Sequence, residues 1–374
     1  MQYLIAVATY NLYFHPLSKY PGPKTWAISR IPYALSLASG DLHTSVRQIH
    51  DQYGEVVRLA PDEVSFINAQ AWQDIRGHHT NFPRNPRWVR PQANGYNSIV
   101  TANDADHSRY RKLLTHAFSG KALRDQEPIL QFYVDLFISR LREIAASSGK
   151  HIAVVDIVEW FNFTTFDIIG DLAFNESFHC LDESRYHPWV KTIFNHFKMA
   201  AVGASCRILP PLDKVLQMML PKEMKRRRIE HFNLTKAKLH RRIAQGESAS
   251  RKDFMSYVLK YNDEKGMSVP EMEATFNLLI IAGSETTGTA LSGITSLLLK
   301  HPERLRKLTG EIRGSFADSS EMSIDKLSRL PYLGAVIEEG LRLCPPLAVG
   351  VPRVVPAGGA SVCGHWLPAN VSSH

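Results

Sequence analysis

The feature that most restricts the fold of this chain is a long helical pattern between Ser268 and His301. Ser268, followed by Pro270 and Glu271, has the arrangement of a capping box at a helix start, and the next helix-breaking residue is Pro302. About 33 residues lie between these signals, so the helix would be roughly 50 Å long at 1.5 Å per residue. A helix of that length crosses an entire domain.

The rest of the chain predicts a mainly helical fold. Of its 374 residues, 44% are hydrophobic and 21% charged, as in ordinary globular proteins. From about residue 104 the apolar residues recur with helical period, and prolines mark the breaks between helices. Residues 53–68 alternate in two runs split by Pro61, and Val, Gly and Pro dominate after Pro346. These two regions predict a hairpin and short strands, so we expect a mainly α fold with a minor β-sheet.

The charge and the cysteines restrict the partners of the chain. The formal net charge is +8, with basic residues concentrated at 222–228 and 236–242. A solvated helix face is the simplest interpretation, and an anionic membrane surface or an acidic protein partner is the alternative. No basic stretch is interleaved with base-stacking aromatics, so we expect no nucleic-acid partner. Four cysteines without metal-type spacing predict no metal site of their own and a reducing compartment.

The amino terminus carries an apolar stretch from Tyr3 to Phe14, followed by prolines at positions 16, 21 and 23. Twelve helical residues rise only about 18 Å, which is short of the roughly 30 Å hydrocarbon core of a bilayer. Two interpretations stay open. Residues 1–23 are either a residual membrane anchor with a proline-rich hinge or a buried amphipathic start of the fold.

The middle of the long helix reads LLIIAGSETTGTALSG, residues 278–293. A glycine inside a helix costs about 1 kcal/mol relative to alanine, so Gly283 needs a reason other than helix stability. The missing side chain would let a flat or bulky group lie against the backbone, with Glu285 and Thr286 beside it to pass protons. The alternative is a tolerated glycine and a threonine bonded back to a carbonyl of its own helix.

Two further helical patterns place charges at close spacing. Glu339 and Arg342, at i and i+3 in residues 332–346, lie in an apolar helix, where charges are tolerated only when paired. His107 and Arg111, at i and i+4, lie on one face of another helix. That face is either a solvated charged surface or a site that grips carboxylates.

Together and in this order, the motifs resemble the cytochrome P450 family, specifically filamentous-fungal members that oxidise secondary metabolites. The resemblance covers nearly all of the chain. It rests on LYFHPLSKYPGP near the amino terminus, the His107/Arg111 helix, FDIIGDLAFNESF at 166–178, AGSETT in the long helix and the Glu339/Arg342 helix. It implies a P450-like catalytic domain over residues 24–374, after the anchor and hinge segment at 1–23.

The resemblance assigns roles within the long helix. The implied cofactor is haem b, and Ala282 and Gly283 would make room for haem and oxygen. Glu285 and Thr286 would be the catalytic acid and alcohol that deliver protons during oxygen activation. The chemistry would insert one oxygen atom of O2 into a lipophilic substrate, with electrons from NADPH through a P450 reductase.

Outside the long helix the resemblance assigns binding and structural roles. His107, Arg111 and Arg353 would bind the haem propionates. Glu339 and Arg342 would belong to a structural network behind the haem. The implied location is the cytosolic face of the endoplasmic reticulum membrane.

The family holds its iron through a cysteine in a loop of the form F-x-x-G-x-R-x-C-x-G, and residues 1–374 contain no such loop. Cys344 has Gly340 and Arg342 at matching offsets, but Ile337 replaces the aromatic residue and Pro346 the final glycine. We therefore expect a catalytic domain that is incomplete at its carboxyl end and inactive as written.

Three functions follow from these patterns. The first is a haem-thiolate monooxygenase that hydroxylates or epoxidises a lipophilic secondary metabolite in a fungal pathway. The second is a truncated, non-catalytic remnant that binds a ligand or partner on the membrane. A third, a generic α-helical protein on membranes, requires all five motifs to be accidents.

Overall fold

A computed structural model describes residues 1–77, 80–149, 152–185, 201–210, 212–219, 221–246 and 252–374. Helix accounts for 64% and strand for 6%, which confirms the mainly α class with a minor sheet. The helices are α1 Gln2–Thr9, α2 Lys24–Ile28, α3 Ile31–Ser39, α4 Leu42–Tyr53, α5 Ala69–Arg76, α6 Asp104–Ala117, α7 Gly120–Ser147, α8 Ile157–Phe174, α9 Cys180–Glu183, α10 Asp213–Met219, α11 Lys222–Ala244, α12 Phe254–Tyr261, α13 Val269–Lys300, α14 Pro302–Ser315, α15 Ile324–Leu327 and α16 Pro331–Leu343. The strands are β1 Val56–Ala60, β2 Glu63–Phe66, β3 Arg353–Val354, β4 Ala360–Val362, β5 His365–Leu367 and β6 Ser372–Ser373.

The chain divides into two compact units. The first unit contains Met1–Arg90, Phe194–Arg227 and Val349–His374, and the second contains Pro91–Ile193 and Arg228–Ala348. The first unit holds all strands found among the described residues, and the second holds the long helix α13.

The sheet of the first unit has the strand order β1-β2-β6-β3. β1 and β2 form an antiparallel hairpin in which Val57 lies opposite Ser65, as the alternating pattern at 53–68 predicts. β6 runs parallel to β2 and antiparallel to β3, and β4 pairs with β5 in a separate hairpin. The predicted strands after Pro346 are therefore confirmed.

The amino-terminal segment is helical and largely exposed. α1 has no buried residue, and a π-helical turn at Tyr10–Phe14 continues it. Asn11 is buried in that turn, where its amide donates to the Ile28 carbonyl at 2.9 Å. The interpretation of a buried amphipathic start is therefore wrong for α1. In the described part of the chain, no helix is both long and apolar enough to cross a membrane.

The predicted hinge is packed into the first unit. Leu17 is fully buried in a core cluster that also contains Tyr20. The N–H of Arg58 in β1 donates to the Pro21 carbonyl at 2.7 Å. A Cβ at Gly22 would lie 2.5 Å from the Arg58 carbonyl oxygen, so only glycine allows this close approach. A backbone hydrogen bond thus holds the segment before residue 24 against β1, an edge strand of the sheet.

The second unit is helical, and α13 is its longest element at 32 residues. Ser268 and Glu271 form both hydrogen bonds of the predicted capping box, and α13 ends at Lys300, one residue before His301. The predicted long helix is confirmed. Side-chain caps also start its neighbours, because Asn103 accepts from an N–H of α6 and Asp156 from two N–H groups of α8.

Candidate active site

The start of α13 is anchored by a charged contact to α6. Arg109 donates to the two carboxylate oxygens of Glu271 at 2.7 and 3.0 Å, and it also pairs with Asp106 at 2.6 Å. Burial disfavours the charged form of Glu271, but the hydrogen bonds from Arg109 and from the Ser268 N–H outweigh it. They hold the pKa of Glu271 at about 2. This carboxylate is therefore ionised at neutral pH and fixes the first turn of α13.

The middle of α13 packs closely against α8 through two glycines. A Cβ at Gly283 would lie 2.7 Å from Cδ1 of Ile169, and a Cβ at Gly288 would lie 2.3 Å from Oδ1 of Asn162. Residue numbers fall along α8 as they rise along α13, so the two helices run antiparallel. Small residues at such a crossing allow the helix backbones to approach.

The missing side chain of Gly283 is predicted to let a flat or bulky group lie against the helix backbone. The side chain beside the position of the missing Cβ is that of Ile169 in α8. The physical reason for the glycine is therefore the contact with α8. Contact of Gly283 and Ala282 with haem stays a prediction, and Ala282 is exposed on α13.

Glu285 is the least satisfied acid of the site. Its side chain is half-buried, and its Oε1 is buried without a hydrogen-bond partner among the described residues. Burial alone raises the pKa of Glu285 to about 7. A carboxyl group with that pKa exchanges protons readily near neutral pH, as a general acid or base must.

Thr286 lies on an exposed part of the same helix. Its Oγ1 donates to the Ala282 carbonyl at 2.5 Å, which is the back-bond that the alternative interpretation predicts. The hydroxyl oxygen still has lone pairs that accept a proton donor. Ala282 and Thr286, one turn apart, thus give α13 an exposed strip with a small residue and a hydroxyl.

Glu339 and Arg342 form the predicted pair, but not in the predicted environment. Arg342 donates to both carboxylate oxygens of Glu339 at 2.6 and 2.7 Å. Their side chains are 54% and 65% exposed, so the expectation of a buried pair is wrong. The reason is that α16 buries only Gly340, and its apolar residues such as Ile337 are themselves exposed. A role of this pair behind the haem stays a prediction.

His107 and Arg111 lie on α6 as predicted. His107 is half-buried and Arg111 is exposed. Among the described residues, no carboxylate pairs with the Arg111 guanidinium. Arg109, in contrast, forms ion pairs with Asp106 and Glu271. Sequence reasoning missed Arg109, although its spacing from Asp106 at i and i+3 was available as a signal.

Arg353 belongs to the first unit, where it lies half-buried in β3. Its Nη1 donates to the Phe82 carbonyl at 3.4 Å. Burial and the positive charge of Arg353 lower the pKa of the Arg76 guanidinium. Two cations held near one another favour an anionic ligand, and the binding of a haem propionate by Arg353 stays a prediction.

Haem fits the described residues only in part. The exposed strip of α13 and the unpaired Oε1 of Glu285 suit the side of a haem where oxygen is activated. Cys344 contacts the Cβ position of Gly293, about 10 Å along α13 from Thr286 at 1.5 Å per residue. Among the described residues, no group of three or more His, Cys, Asp and Glu side chains is placed to hold a metal ion.

Comparisons with known proteins identify the family of the chain. The cytochrome P450 family model matches residues 21–371. Cytochrome P450 monooxygenase efuB of Hormonema carpetanum is 43% identical over 99% of this chain and 74% of its own length. Cytochrome P450 monooxygenase atr2 of Stereocaulon alpinum is 46% identical over 96% of this chain and 71% of its own length. Averantin hydroxylase of Dothistroma septosporum is 41% identical over 97% of this chain and 68% of its own length.

Both kinds of match extend over far more than the long helix. The family model includes β1 to β5 of the first unit as well as α6, α8, α13 and α16 of the second. The relatives are fungal proteins, and their similarity extends over almost all of this chain. The chain belongs to the cytochrome P450 family, among its filamentous-fungal members of secondary metabolism.

Proposed function

We propose that this chain supplies the oxygen-activating helix of a haem monooxygenase that hydroxylates or epoxidises a lipophilic secondary metabolite. The family implies haem, O2, an organic substrate and a redox partner. The observation that carries the proposal is Glu285, an unpaired half-buried acid with a pKa near 7 at the middle of α13. The name of one relative, averantin hydroxylase, supports hydroxylation as the reaction.

The proposed reaction needs protons as well as electrons. One atom of O2 enters the substrate and the other leaves as water, which consumes two protons and two electrons. Haem, when bound, supplies the iron at which O2 is activated. Glu285 holds and releases a proton near neutral pH, and the Thr286 hydroxyl passes it along the exposed strip beside Ala282.

Cationic side chains support the binding of a dianionic haem. Arg111 has an exposed guanidinium without a described carboxylate partner, and His107 lies one turn before it. In the first unit, Arg353 and Arg76 repel each other, which an anionic group offsets. We assign the propionates to His107, Arg111 and Arg353.

Membrane attachment and a reductase complete the proposal. Electrons would come from NADPH through a P450 reductase. Tyr3, Tyr13 and Phe14 are 77%, 69% and 71% exposed, which favours attachment of the amino terminus to a membrane surface. We propose the cytosolic face of the endoplasmic reticulum as the location.

Isotope incorporation tests the proposed reaction. The chain, completed with a cysteine loop of the form F-x-x-G-x-R-x-C-x-G, is purified with haem, combined with a P450 reductase and NADPH under 18O2, and offered a panel of lipophilic compounds. We expect a product that carries one 18O atom. Replacing Thr286 by Ala should uncouple NADPH oxidation from product formation. Thr309→Ala in α14 is the matched control, because Thr309 makes the same back-bond, to Leu305 at 2.8 Å.

The alternative function is a ligand-binding remnant without catalysis, in which no cysteine of the chain holds iron. This function predicts that the reduced, carbon-monoxide-treated chain gives no thiolate-type Soret band and that no 18O enters any product. A thiolate-type band from the chain as written would rule it out.

A further inference from the structure

Two close contacts with α8 lie on either side, along the sequence, of Glu285 and Thr286 in α13. Gly283 lies two residues before Glu285, and the position of its missing Cβ is 2.7 Å from Ile169. Gly288 lies two residues after Thr286, and its Cβ position is 2.3 Å from Asn162. Both distances are shorter than real side chains allow, so α13 sits as deep against α8 as glycine permits. The proton-delivery segment is therefore held on both sides by one neighbouring helix.

The register between the two helices is fixed along their length. The rings of Phe276 and Phe174 meet with centroids 6.0 Å apart, one end of the antiparallel crossing. Between the two glycines, Ser284 is fully buried and donates to the Ile280 carbonyl at 2.7 Å. Residues 276, 280, 284 and 288 thus form one buried stripe of α13 at helical spacing. Glu285 is the next residue after Ser284, so its side chain leaves the helix about 100° around the axis from that stripe.

α8 is itself held rigidly, so it can act as a platform. Both oxygens of the buried Asp167 accept backbone N–H groups of the following segment, including that of Leu181 at 2.9 Å. The Tyr133 hydroxyl of α7 donates to Asp171 at 3.0 Å. At Gly170 a Cβ would meet the Phe178 ring at 2.8 Å, which locks the other side of α8. If the two helices move apart, α13 is therefore the helix that moves.

We propose that Asn162 and Ile169 of α8 are positioning residues, which set the depth and rotation of α13 and thereby how far the Glu285 carboxyl is shielded from water. Their catalytic meaning rests on the proposed function. The shielding itself is a property of the two helices and is tested without turnover.

The mechanism predicts a specific response to added volume. A methyl group at Gly288 must displace Asn162 or push α13 away from α8. Water then reaches the Glu285 carboxyl, and its pKa falls from about 7 toward the ordinary value of 4.5. Removing the Asn162 side chain at the same time makes room for the methyl group, so the pKa returns toward 7.

The experiment is a titration of the full chain labelled with 13C at the glutamate side-chain carboxyl. The signal of Glu285 is identified by its loss in Glu285→Gln. Gly288→Ala should lower this pKa, and Gly288→Ala with Asn162→Ala should restore it. Gly293→Ala is the matched control on the same helix, because its methyl would meet Cys344 of the segment after α16 at 2.8 Å. It should leave the pKa of Glu285 near 7.

Three outcomes overturn the proposal: an unchanged pKa in Gly288→Ala, an equal shift in Gly293→Ala, or no restoration in the double variant. Circular dichroism confirms that each variant keeps its helices. If Gly288→Ala does not fold, Asn162→Ala carries the same test. It opens to water the contact at Gly288, which lies on the same face of α13 as Glu285, and should therefore lower the pKa. A Thr286→Ala variant that still couples all NADPH oxidation to product formation would refute the proposed function but not the positioning role. A Glu285 pKa that does not change in Gly288→Ala would refute the positioning role but not the proposed function.

Discussion

Two glutamates in apolar helices, Glu285 of α13 and Glu339 of α16, have opposite properties. Burial raises the pKa of Glu285 to about 7. Hydrogen bonds from Arg342 lower the pKa of Glu339, which stays exposed. Both sequences place an acid among apolar residues, so the surrounding residue types do not distinguish the two. What distinguishes them is whether the carboxyl is buried and whether an arginine lies one turn away.

The glycines of the same two helices also differ in their packing. Substitutions at these glycines should have the largest effect on the free energy of unfolding. A methyl group at Gly283 meets Ile169, whereas at Gly334 in α16 nothing lies within 4 Å. Gly283→Ala should lower the free energy of unfolding by about 1–3 kcal/mol through overpacking. Gly334→Ala should raise it by about 0.5–1 kcal/mol through helix propensity. Urea unfolding followed by circular dichroism measures both, and equal effects of the two substitutions would contradict the difference in packing.

Removal of the Glu285 charge should change stability in a pH-dependent way. The folded state holds a proton on Glu285 up to about pH 7, whereas the unfolded chain releases it near 4.5. The stability that this proton contributes is complete below pH 4.5 and is lost as pH rises through 7. Full conversion of the shift gives about 3 kcal/mol, and screening of the part-exposed group leaves about 1–2 kcal/mol.

Glu285→Gln should therefore match the parent chain at pH 4 and exceed its free energy of unfolding by about 1–2 kcal/mol at pH 8. Urea unfolding at the two pH values gives the difference. Thr286→Ser, which keeps the hydroxyl and adds no charge, is the control and should show no such pH dependence. A Glu285→Gln variant that is less stable than the parent at pH 8 would reveal a partner for the carboxylate.

The smallest effect is expected at Glu339. Its pKa is lowered in the folded state, so its contribution is present above pH 4.5 and is lost as pH falls. Both partners are exposed, and exposed ion pairs contribute little to stability. Glu339→Gln should shift the thermal midpoint slightly downward at pH 8, opposite in sign to Glu285→Gln. A large loss of stability would mean that the pair is more shielded than its exposure indicates.

The sequence predicted the elements whose signals are local. The capping box at Ser268 and the break at Pro302 defined α13 to within one residue at its carboxyl end. The alternating pattern around Pro61 defined the β1–β2 hairpin. These features depend on neighbours within a few residues, and such neighbours are visible in the sequence.

Contacts between distant segments could not be predicted in the same way. The helical pattern gave no sign that Ile169, more than 100 residues earlier, occupies the space beside Gly283. The apolar surroundings of Glu339 suggested burial, but burial depends on what covers α16, and most of its apolar residues are exposed. That Oε1 of Glu285 has no hydrogen-bond partner among the described residues likewise follows only from the folded arrangement.

The most direct test of this account is the titration of both carboxyl groups in one sample of the parent chain. Carbon-13 NMR of the glutamate-labelled chain, with signals assigned through Glu285→Gln and Glu339→Gln, gives the two pKa values side by side. Glu285 should titrate near pH 7 and Glu339 below 4.5. Titration of Glu285 near 4.5, like an ordinary exposed glutamate, would contradict its role as the proton-holding acid of α13.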